Sequence, residues 1–253
     1  MRSELGAATA RELDFPLNEA ATPVETAWRD FVFGEVWTRP GLDRRSRFII
    51  AIAGSADSPG APDILEAYIA GALNQGELTL TELREIALHL TAYGGFIRAT
   101  AVDRAITQVV SRLGLEEPRY RPLAAPGLSD AQRAAQGAES FRKVTGWPGT
   151  PPSDPFLGPG IQDFVFAELW TRPELDQRSR RLVTLVAAGE TQAPSAVRTH
   201  VYCAMSTGDL TKAEMEEFVL QYAVHGGFTR GSTMEQLVVE MSAKVAEEQA
   251  GKG

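Results

Sequence analysis

The most regular hydrophobic pattern in the chain occurs twice. Between Leu83 and Leu90, apolar residues fall at positions i, i+3, i+4 and i+7, and between Met215 and Tyr222 the same spacing returns. Such spacing places the apolar side chains on one face of an α-helix. We therefore predict an amphipathic helix at each of these two segments.

Both predicted helices carry start and stop signals. A Thr followed three residues later by Glu precedes each one, which is the pattern of a capping box. A Gly pair, Gly94-Gly95 or Gly226-Gly227, follows each one and suits the left-handed turn that closes a helix. The capping boxes are Thr79 with Glu82 and Thr211 with Glu214.

The remaining apolar runs predict further helices. FIIAIA and LVTLVA follow Asp43 and Asp176, which suit the N-caps of buried helices better than the starts of strands. The segments 62–76 and 194–208 have the length of another helix with Gly near its end, and a short helix is expected at about 129–144. About five helices in each half give an all-α bundle.

Two long blocks of sequence are repeated in the same order. DFVFGEVWTRPGLDRRSR at 30–47 matches DFVFAELWTRPELDQRSR at 163–180, and a block at 72–96 matches another at 204–228. Shared helical composition does not account for shared WTRP and GGF, so we interpret the chain as a tandem duplication. The Pro- and Gly-rich stretch 114–130 reads as the linker. We expect repeats at 1–120 and 121–253 that pack as a pseudo-dimer, because each unit has apolar helix faces to cover.

Charge and cysteine content narrow the function classes. A net charge of −8 disfavours nucleic acid and anionic membranes as partners, since phosphate binding draws on clustered Lys and Arg. The N-terminal segment has no apolar signal region and no run approaches a membrane span, so we expect a cytoplasmic location. The single Cys203 cannot form an intrachain disulfide or a CxxC pair.

With FGEVWTRPGLDRRSR, the THV segment before a helix, and LTKAEMEEFVLQYAVHGGF, the sequence resembles the carboxymuconolactone decarboxylase family, which shares a helical fold with AhpD-like alkylhydroperoxidases. The resemblance covers both repeats, about 24–112 and 130–240. It implies an enzyme that removes carbon dioxide from a small lactone dicarboxylate without metal or organic cofactor, and chains that associate as a trimer. Peroxidase-type relatives use a CxxC pair followed by His, and neither repeat has cysteine at those positions.

The resemblance also assigns individual positions. His200 holds the place of the family's His, and Tyr68 is its counterpart in the first repeat. The sequence departs from the family at AVHGGFTRG, where His225 stands in place of the usual Tyr and Thr229-Arg230 in place of Pro-Ala. Because only one repeat keeps the His, we expect the active pocket in the second repeat, with the first mainly supporting the fold.

The residues themselves offer acid-base chemistry. His200 and Cys203 lie one helical turn apart, and a His with a pKa near 6.5 can exchange a proton at neutral pH. A carboxylate beside a Trp, as at Glu35 and Glu168, can have a raised pKa, although a structural pairing with Arg is an equal alternative. The candidate catalytic residues are His200, Glu168 and Glu35, and the candidate substrate-binding residues are Arg178, Arg45, Trp170, Tyr68, His225 and Cys203.

His225, Cys203 and a further histidine, His89, also have structural interpretations that involve no chemistry. His225 precedes a Gly pair near a helix C-terminus, where a cation is favoured, so a structural role is preferred over facing the pocket. His89 aligns with Gln221, which favours a polar surface or interface role. Cys203 is expected to be a small buried residue rather than a nucleophile.

Three functions remain open from the sequence. The first is a cofactor-free lyase acting on a small carboxylated ring or lactone, with His200 as acid/base, Glu168 as relay and Arg178 holding a carboxylate. The second is an isomerase or cyclase that uses the same pocket. The third is a non-catalytic assembly or binding protein. No metal site is expected, because the three His are dispersed and no second Cys is present.

Overall fold

The computed structural model describes residues 1–17, 22–56, 62–123, 127–149 and 154–251. Every regular element within these ranges is a helix, which confirms the predicted all-α class. The first half contains α1 (Arg2–Glu12), α2 (Pro23–Ala27), the π-helix π1 (Trp28–Val36), α3 (Arg44–Ser55), α4 (Pro62–Asn74), α5 (Leu80–Tyr93) and α6 (Phe96–Leu113). The second contains α7 (Asp130–Thr145), the π-helix π2 (Phe156–Leu169), α8 (Gln177–Glu190), α9 (Pro194–Ser206), α10 (Lys212–Gly226) and α11 (Phe228–Ala250).

The predicted helix starts are confirmed. The Asp43 side chain accepts a hydrogen bond from the Ser46 amide at 2.7 Å, and Asp176 accepts one from the Ser179 amide at 2.8 Å. Both capping boxes, at Thr79 and at Thr211, are complete. These caps satisfy amide groups that the first turn of a helix leaves without partners. The described residues between Leu113 and Asp130 form no helix.

The Gly pairs do not close their helices with the left-handed turn that the sequence predicts. Gly95 and Gly227 have φ of 86° and 87° with ψ of 161° and 150°, so neither adopts the left-handed helical conformation. Each serves instead as the N-cap of the next helix, α6 or α11. This combination of positive φ and extended ψ is accessible essentially to glycine alone. The second glycine of each pair therefore joins two helices directly.

The first half contains one helix, α1, that the sequence did not predict. The predicted helix at 129–144 is present as α7, whereas α1 was not anticipated because its sequence has no apolar stripe. Both helices approach the following π-helix through a glycine. A Cβ on Gly6 would lie 1.7 Å from the Arg29 carbonyl oxygen, and one on Gly137 would lie 2.3 Å from that of Gln162. Close backbone approach at these glycines therefore helps to hold α1 and α7 against their π-helices.

Two π-helices, which the sequence did not predict, end at the Trp residues of the WTRP blocks. The Trp37 amide bonds to the Val32 carbonyl at 2.9 Å, and the Trp170 amide bonds to the Val165 carbonyl at 3.1 Å. These five-residue hydrogen bonds define π-helical turns, which are rare and often occur at functional sites. Each π-helix therefore ends at a Trp that points into a buried cluster.

The two halves share one core around α3 and α8. These helices pack on each other, α5 packs on α8, and α10 packs on α3. The apolar runs of α3 and α8 are fully buried, as expected for helices covered on all sides. Within the described residues, no helix combines the length and apolar character required to span a membrane.

A carboxylate from each half inserts between two arginines of the other, and it is buried at Glu85 and partly buried at Glu217. Glu85 of α5 accepts hydrogen bonds from Arg172 at 2.8 Å and Arg180 at 3.0 Å. Glu217 of α10 accepts one from Arg39 at 2.6 Å and lies 3.4 Å from Arg47. Because these carboxylates cross between the halves, their ion pairs tie α5 to the second half and α10 to the first.

The two carboxylates differ in exposure, which gives a matched stability test. The Glu85 side chain is 6% exposed and both its arginines are buried, whereas Glu217 is 13% exposed and Arg39 is 50% exposed. We expect Glu85→Gln to lower the free energy of unfolding by about 3 kcal/mol, because it leaves the buried Arg180 without a carboxylate partner and Arg172 with Glu168 alone. Glu217→Gln should cost less, about 2 kcal/mol, since water solvates Arg39 while the buried Arg47 keeps its hydrogen bonds to Gln221 and to the Arg39 carbonyl. Urea unfolding of both variants measures this, and equal losses would contradict it.

Candidate functional site

His200 lies in the middle of α9 and is 5% exposed. Its Nδ1 atom lies 2.6 Å from Nη1 of Arg181, which comes from α8. Because a guanidinium group only donates hydrogen bonds, Nδ1 accepts and the ring hydrogen of the neutral imidazole is on Nε2. Within the described parts of the chain, no hydrogen bond engages Nε2. The pair therefore fixes one tautomer and leaves an N–H group available for a ligand.

Arg181 is held from several sides. Its Nε donates to Asp209 at 2.8 Å, its Nη2 donates to the Val144 carbonyl, and its guanidinium carbon lies 5.1 Å from the centre of the Trp170 ring. The side chain is fully buried. The Asp209 carboxylate and the Trp170 face both stabilise the positive charge at this depth. Arg181 is consequently a rigid charged support beneath His200.

Helix α5 of the first half completes the arrangement. The Tyr93 ring lies 5.0 Å from that of His200 at 87°, and the Tyr93 hydroxyl accepts a hydrogen bond from Trp170 Nε1 at 2.9 Å. His89 is hydrogen-bonded through Nε2 to Thr184 at 3.0 Å. We call His200, Arg181, Tyr93, His89 and Trp170 the His200 cluster. Sequence reasoning located the pocket in the second repeat, but the cluster takes two of its five side chains from the first.

Burial sets the protonation states in the cluster. Desolvation, together with the Arg181 charge, lowers the pKa of His200 well below its usual 6.5. Desolvation followed by the charges of Arg180, His200 and Arg181 does the same to the pKa of His89. Burial raises the pKa of Tyr93 to about 12. Both histidines are therefore neutral at pH 7, and the expectation of a His200 pKa near 6.5 does not hold for the free protein.

Cys203 is buried one turn after His200, as the sequence suggested. Its Sγ donates to the Thr145 carbonyl at 3.4 Å, and burial raises the pKa of the thiol to about 11. Since the thiolate is the reactive form, this cysteine is not an activated nucleophile.

The first half contains an equivalent cluster with different chemistry. The Tyr68 ring stacks on Trp37 at 5.7 Å and meets His225 at 5.5 Å. Phe48 occupies the position that Arg181 holds in the second half. Burial raises the pKa of Tyr68 and lowers the pKa of His225 to about 4. His225 therefore faces Tyr68 as a neutral ring, and the cation expected at this helix C-terminus is not formed.

The other predicted residues lie elsewhere. Arg178 pairs with Asp43 at 3.2 Å and with Glu214 at 2.9 Å. Arg45 makes the reciprocal contact with Asp176 at 3.3 Å. Both arginines thus join the N-terminal ends of α3 and α8, a structural role with partners other than the Glu35 and Glu168 carboxylates that the sequence suggested.

The two candidate glutamates also make ion pairs. Glu168 is buried and lies 3.2 Å from Nη1 of Arg172, next to the Glu85 carboxylate. Glu35 pairs with Arg2 at 2.8 Å near the surface. The structure therefore associates Glu168 with the charged interface between the halves and Glu35 with helix α1.

Arg181 and Tyr93 were missed by sequence reasoning, and His89 was placed on the surface or at an interface. His89 is fully buried between α5 and α8, so only the interface part of that expectation holds. A signal for Arg181 was present, because the repeat aligns this arginine with Phe48 inside a run that is otherwise apolar. A charge at a core position of one repeat alone indicates a special role.

A cavity of about 260 Å³ lies between α7 and π2. Phe141, Ile161 and Phe166 contribute to its walls, and the Phe166 ring stacks on Trp170 at 6.5 Å. One aromatic side chain therefore connects this cavity with the His200 cluster.

Comparison with known proteins gives a consistent class. Residues 23–108 match the sequence model of the carboxymuconolactone decarboxylase family. The chain is also 35% identical over 85 residues to the 4-carboxymuconolactone decarboxylase of Acinetobacter baylyi, an alignment that covers 34% of this chain and 62% of that relative. The family match lies in the first half, whereas His200 lies in the second.

The depressed histidine pKa values predict that the free energy of unfolding depends on pH. The folded protein binds fewer protons at its histidines than the unfolded chain does below pH 6.5, so protonation favours unfolding. Each buried histidine should make the free energy of unfolding fall by up to about 1.4 kcal/mol per pH unit as the pH decreases below 6.5. For His225 this loss should extend down to about pH 4.

Proton NMR measures the same property directly. The imidazole C2–H signals of His89 and His200 should stay unchanged between pH 8 and pH 5.5, because neither ring takes up a proton there. Histidine variants assign the signals. A titration midpoint near 6.5 for either residue would contradict the depressed pKa.

Proposed function

We propose that the chain is a tandem member of the carboxymuconolactone decarboxylase family and acts as a cofactor-free lyase on a small carboxylated ring or lactone. The family match at residues 23–108 and the relative from Acinetobacter baylyi support the class of activity. The repeated blocks, with equivalent caps, π-helices and exchanged ion pairs, support extending that class to the second half as the partner in a pseudo-dimer.

One observation carries the assignment of the site to His200. A neutral imidazole with its N–H on Nε2 contacts a buried guanidinium group, which is a rare and costly arrangement in a protein interior. The equivalent first-half positions hold Tyr68 and Phe48, so folding of this helical unit does not require the pair. A function that uses charge and proton transfer accounts for it.

The proposed reaction needs two events. The bond between ring carbon and carboxylate breaks, its electron pair moves into the conjugated carbonyl system, and carbon dioxide leaves. The resulting dienolate then takes one proton at carbon. The neutral imidazole delivers its Nε2 proton to carbon, the hydrogen bond from Arg181 to Nδ1 stabilises the imidazolate that remains, and a proton from water then restores the N–H group.

Neighbouring residues have distinct roles in this proposal. Arg181 fixes the His200 tautomer and stabilises the developing enolate charge, a role that Arg178 cannot fill while it pairs with Asp43 and Glu214. Trp170 and Tyr93 form the walls. Glu168 and Glu35 hold arginines rather than relay protons. The cavity bounded by Phe166, whose ring stacks on Trp170, is the side from which we propose that substrate approaches the cluster.

The central test compares His200 with its counterpart. His200→Gln should lower turnover of a carboxylated lactone by about 10²-fold or more, the range for loss of a positioned acid/base. Tyr68→Phe should change turnover much less, since it removes a hydroxyl outside the His200 cluster. Release of carbon dioxide, measured beside substrate loss, reports the reaction, and circular dichroism and urea unfolding verify that both variants fold.

The outcomes separate the alternatives. Full activity in His200→Gln together with loss in Tyr68→Phe would place the site in the first-half cluster. Substrate loss without carbon dioxide would indicate an isomerase or cyclase. No turnover of any carboxylated lactone would favour a binding or assembly protein.

We also propose that chains associate as a trimer. Phe96 and Phe228 occupy equivalent positions at the starts of α6 and α11 and are 65% and 60% exposed, so each half offers a large apolar side chain that a neighbouring chain can cover. Multi-angle light scattering should give three times the mass of the chain. Phe96→Ser with Phe228→Ser should reduce that mass, and a stable monomer of the unchanged protein would contradict the proposal.

A further inference from the structure

The second half contains a groove of about 480 Å³ that is separate from the His200 cluster. Helices α8, α9, α10 and α11 surround it, and none of its lining residues belongs to the cluster. Val197, Met234 and Leu237 give it apolar walls. Its volume lies within the range of small-molecule sites.

One polar group at the base of this groove can accept a hydrogen bond from a ligand. Tyr222 is 1% exposed and lines the groove, and its hydroxyl lies beside the Glu190 carboxylate, to which it donates. Burial and this carboxylate raise the pKa of the phenol, so it stays protonated. With its hydrogen directed to Glu190, the phenol oxygen keeps lone pairs to which a ligand hydroxyl in the groove can donate.

The first half provides an internal comparison. An equivalent groove of the same volume, about 480 Å³, lies beside α4 and α6. There Leu90 replaces Tyr222, and Ala56 replaces Gly189. A Cβ on Gly189 would lie 2.7 Å from the Tyr222 hydroxyl, so the glycine makes room for that hydroxyl. Since the first-half groove forms without these residues, the hydroxyl and its space are a specialisation of the second half.

The charges around the groove define the ligand. Arg230 pairs with Glu190 at 2.6 Å, and Arg198 pairs with Glu240 at the rim. The guanidinium and carboxylate charges thus cancel, and the groove has no excess charge to attract an ion. We propose that this groove binds an uncharged, mainly apolar molecule that carries a hydroxyl group, for which a simple phenol is the model.

Calorimetric titration of the full chain with p-cresol tests the proposal. Saturable binding of one p-cresol is expected, and 4-methylanisole and 4-methylbenzoate should bind much more weakly because one lacks the donor hydroxyl and the other is charged. Tyr222→Phe should weaken p-cresol binding about 5- to 10-fold, the effect of one hydrogen bond, while leaving the fold unchanged.

Two groove-filling variants locate the site. Thr233→Trp places a large side chain in the second-half groove from an exposed position on α11 and should abolish binding. Ala101→Trp, its counterpart on α6, fills the first-half groove and should leave binding unchanged. Absence of saturable binding, equal binding of 4-methylanisole, or loss of binding in Ala101→Trp alone would each overturn the proposal.

Discussion

The structure depends on two carboxylates that cross between the halves. Glu85 and Glu217 each contact a pair of arginines from the other half, and one arginine of each pair, Arg180 or Arg47, also donates to a carbonyl group of a WTRP turn. Burying a guanidinium group without a counter-charge is costly. Neither half can therefore bury its arginines without the other. The position of α5 against α8, and with it the entire His200 cluster, follows from this exchange.

The two halves carry different interior side chains at positions that the repeated sequence blocks align. At equivalent positions, the second half has His200, Arg181 and a Trp170–Tyr93 hydrogen bond, whereas the first has aromatic rings packed without a charged group. Aromatic packing stabilises through buried area, while the second-half cluster accepts a desolvation cost for a fixed proton donor and charge. The groups suited to acid-base chemistry therefore lie in the second-half cluster, where this desolvation cost arises.

Sequence reasoning succeeded where signals are local. Capping boxes and apolar periodicity depend on residues three or four apart, so the helices around Leu83 and Met215 were predicted from the sequence. It failed where the cause is distant. Helix α1 is held by a glycine contact with another element, and the π-helices have no residue signature. Tyr93 reaches His200 only because α5 of the first half packs against α8 of the second. The low pKa of His200 likewise results from burial beside Arg181, which spacing along one helix cannot reveal.

The difference between Arg181 and Phe48 has a consequence for how such a site evolves. In an assembly of identical chains, every substitution appears at all equivalent sites, so a costly buried charge would be introduced at each of them. Here the two positions are encoded separately on one chain. A mutation can place an arginine in one cluster while the other keeps a phenylalanine that compensates in stability. Covalent linkage of the halves thus allows one interior to be tuned for chemistry and the other for robustness.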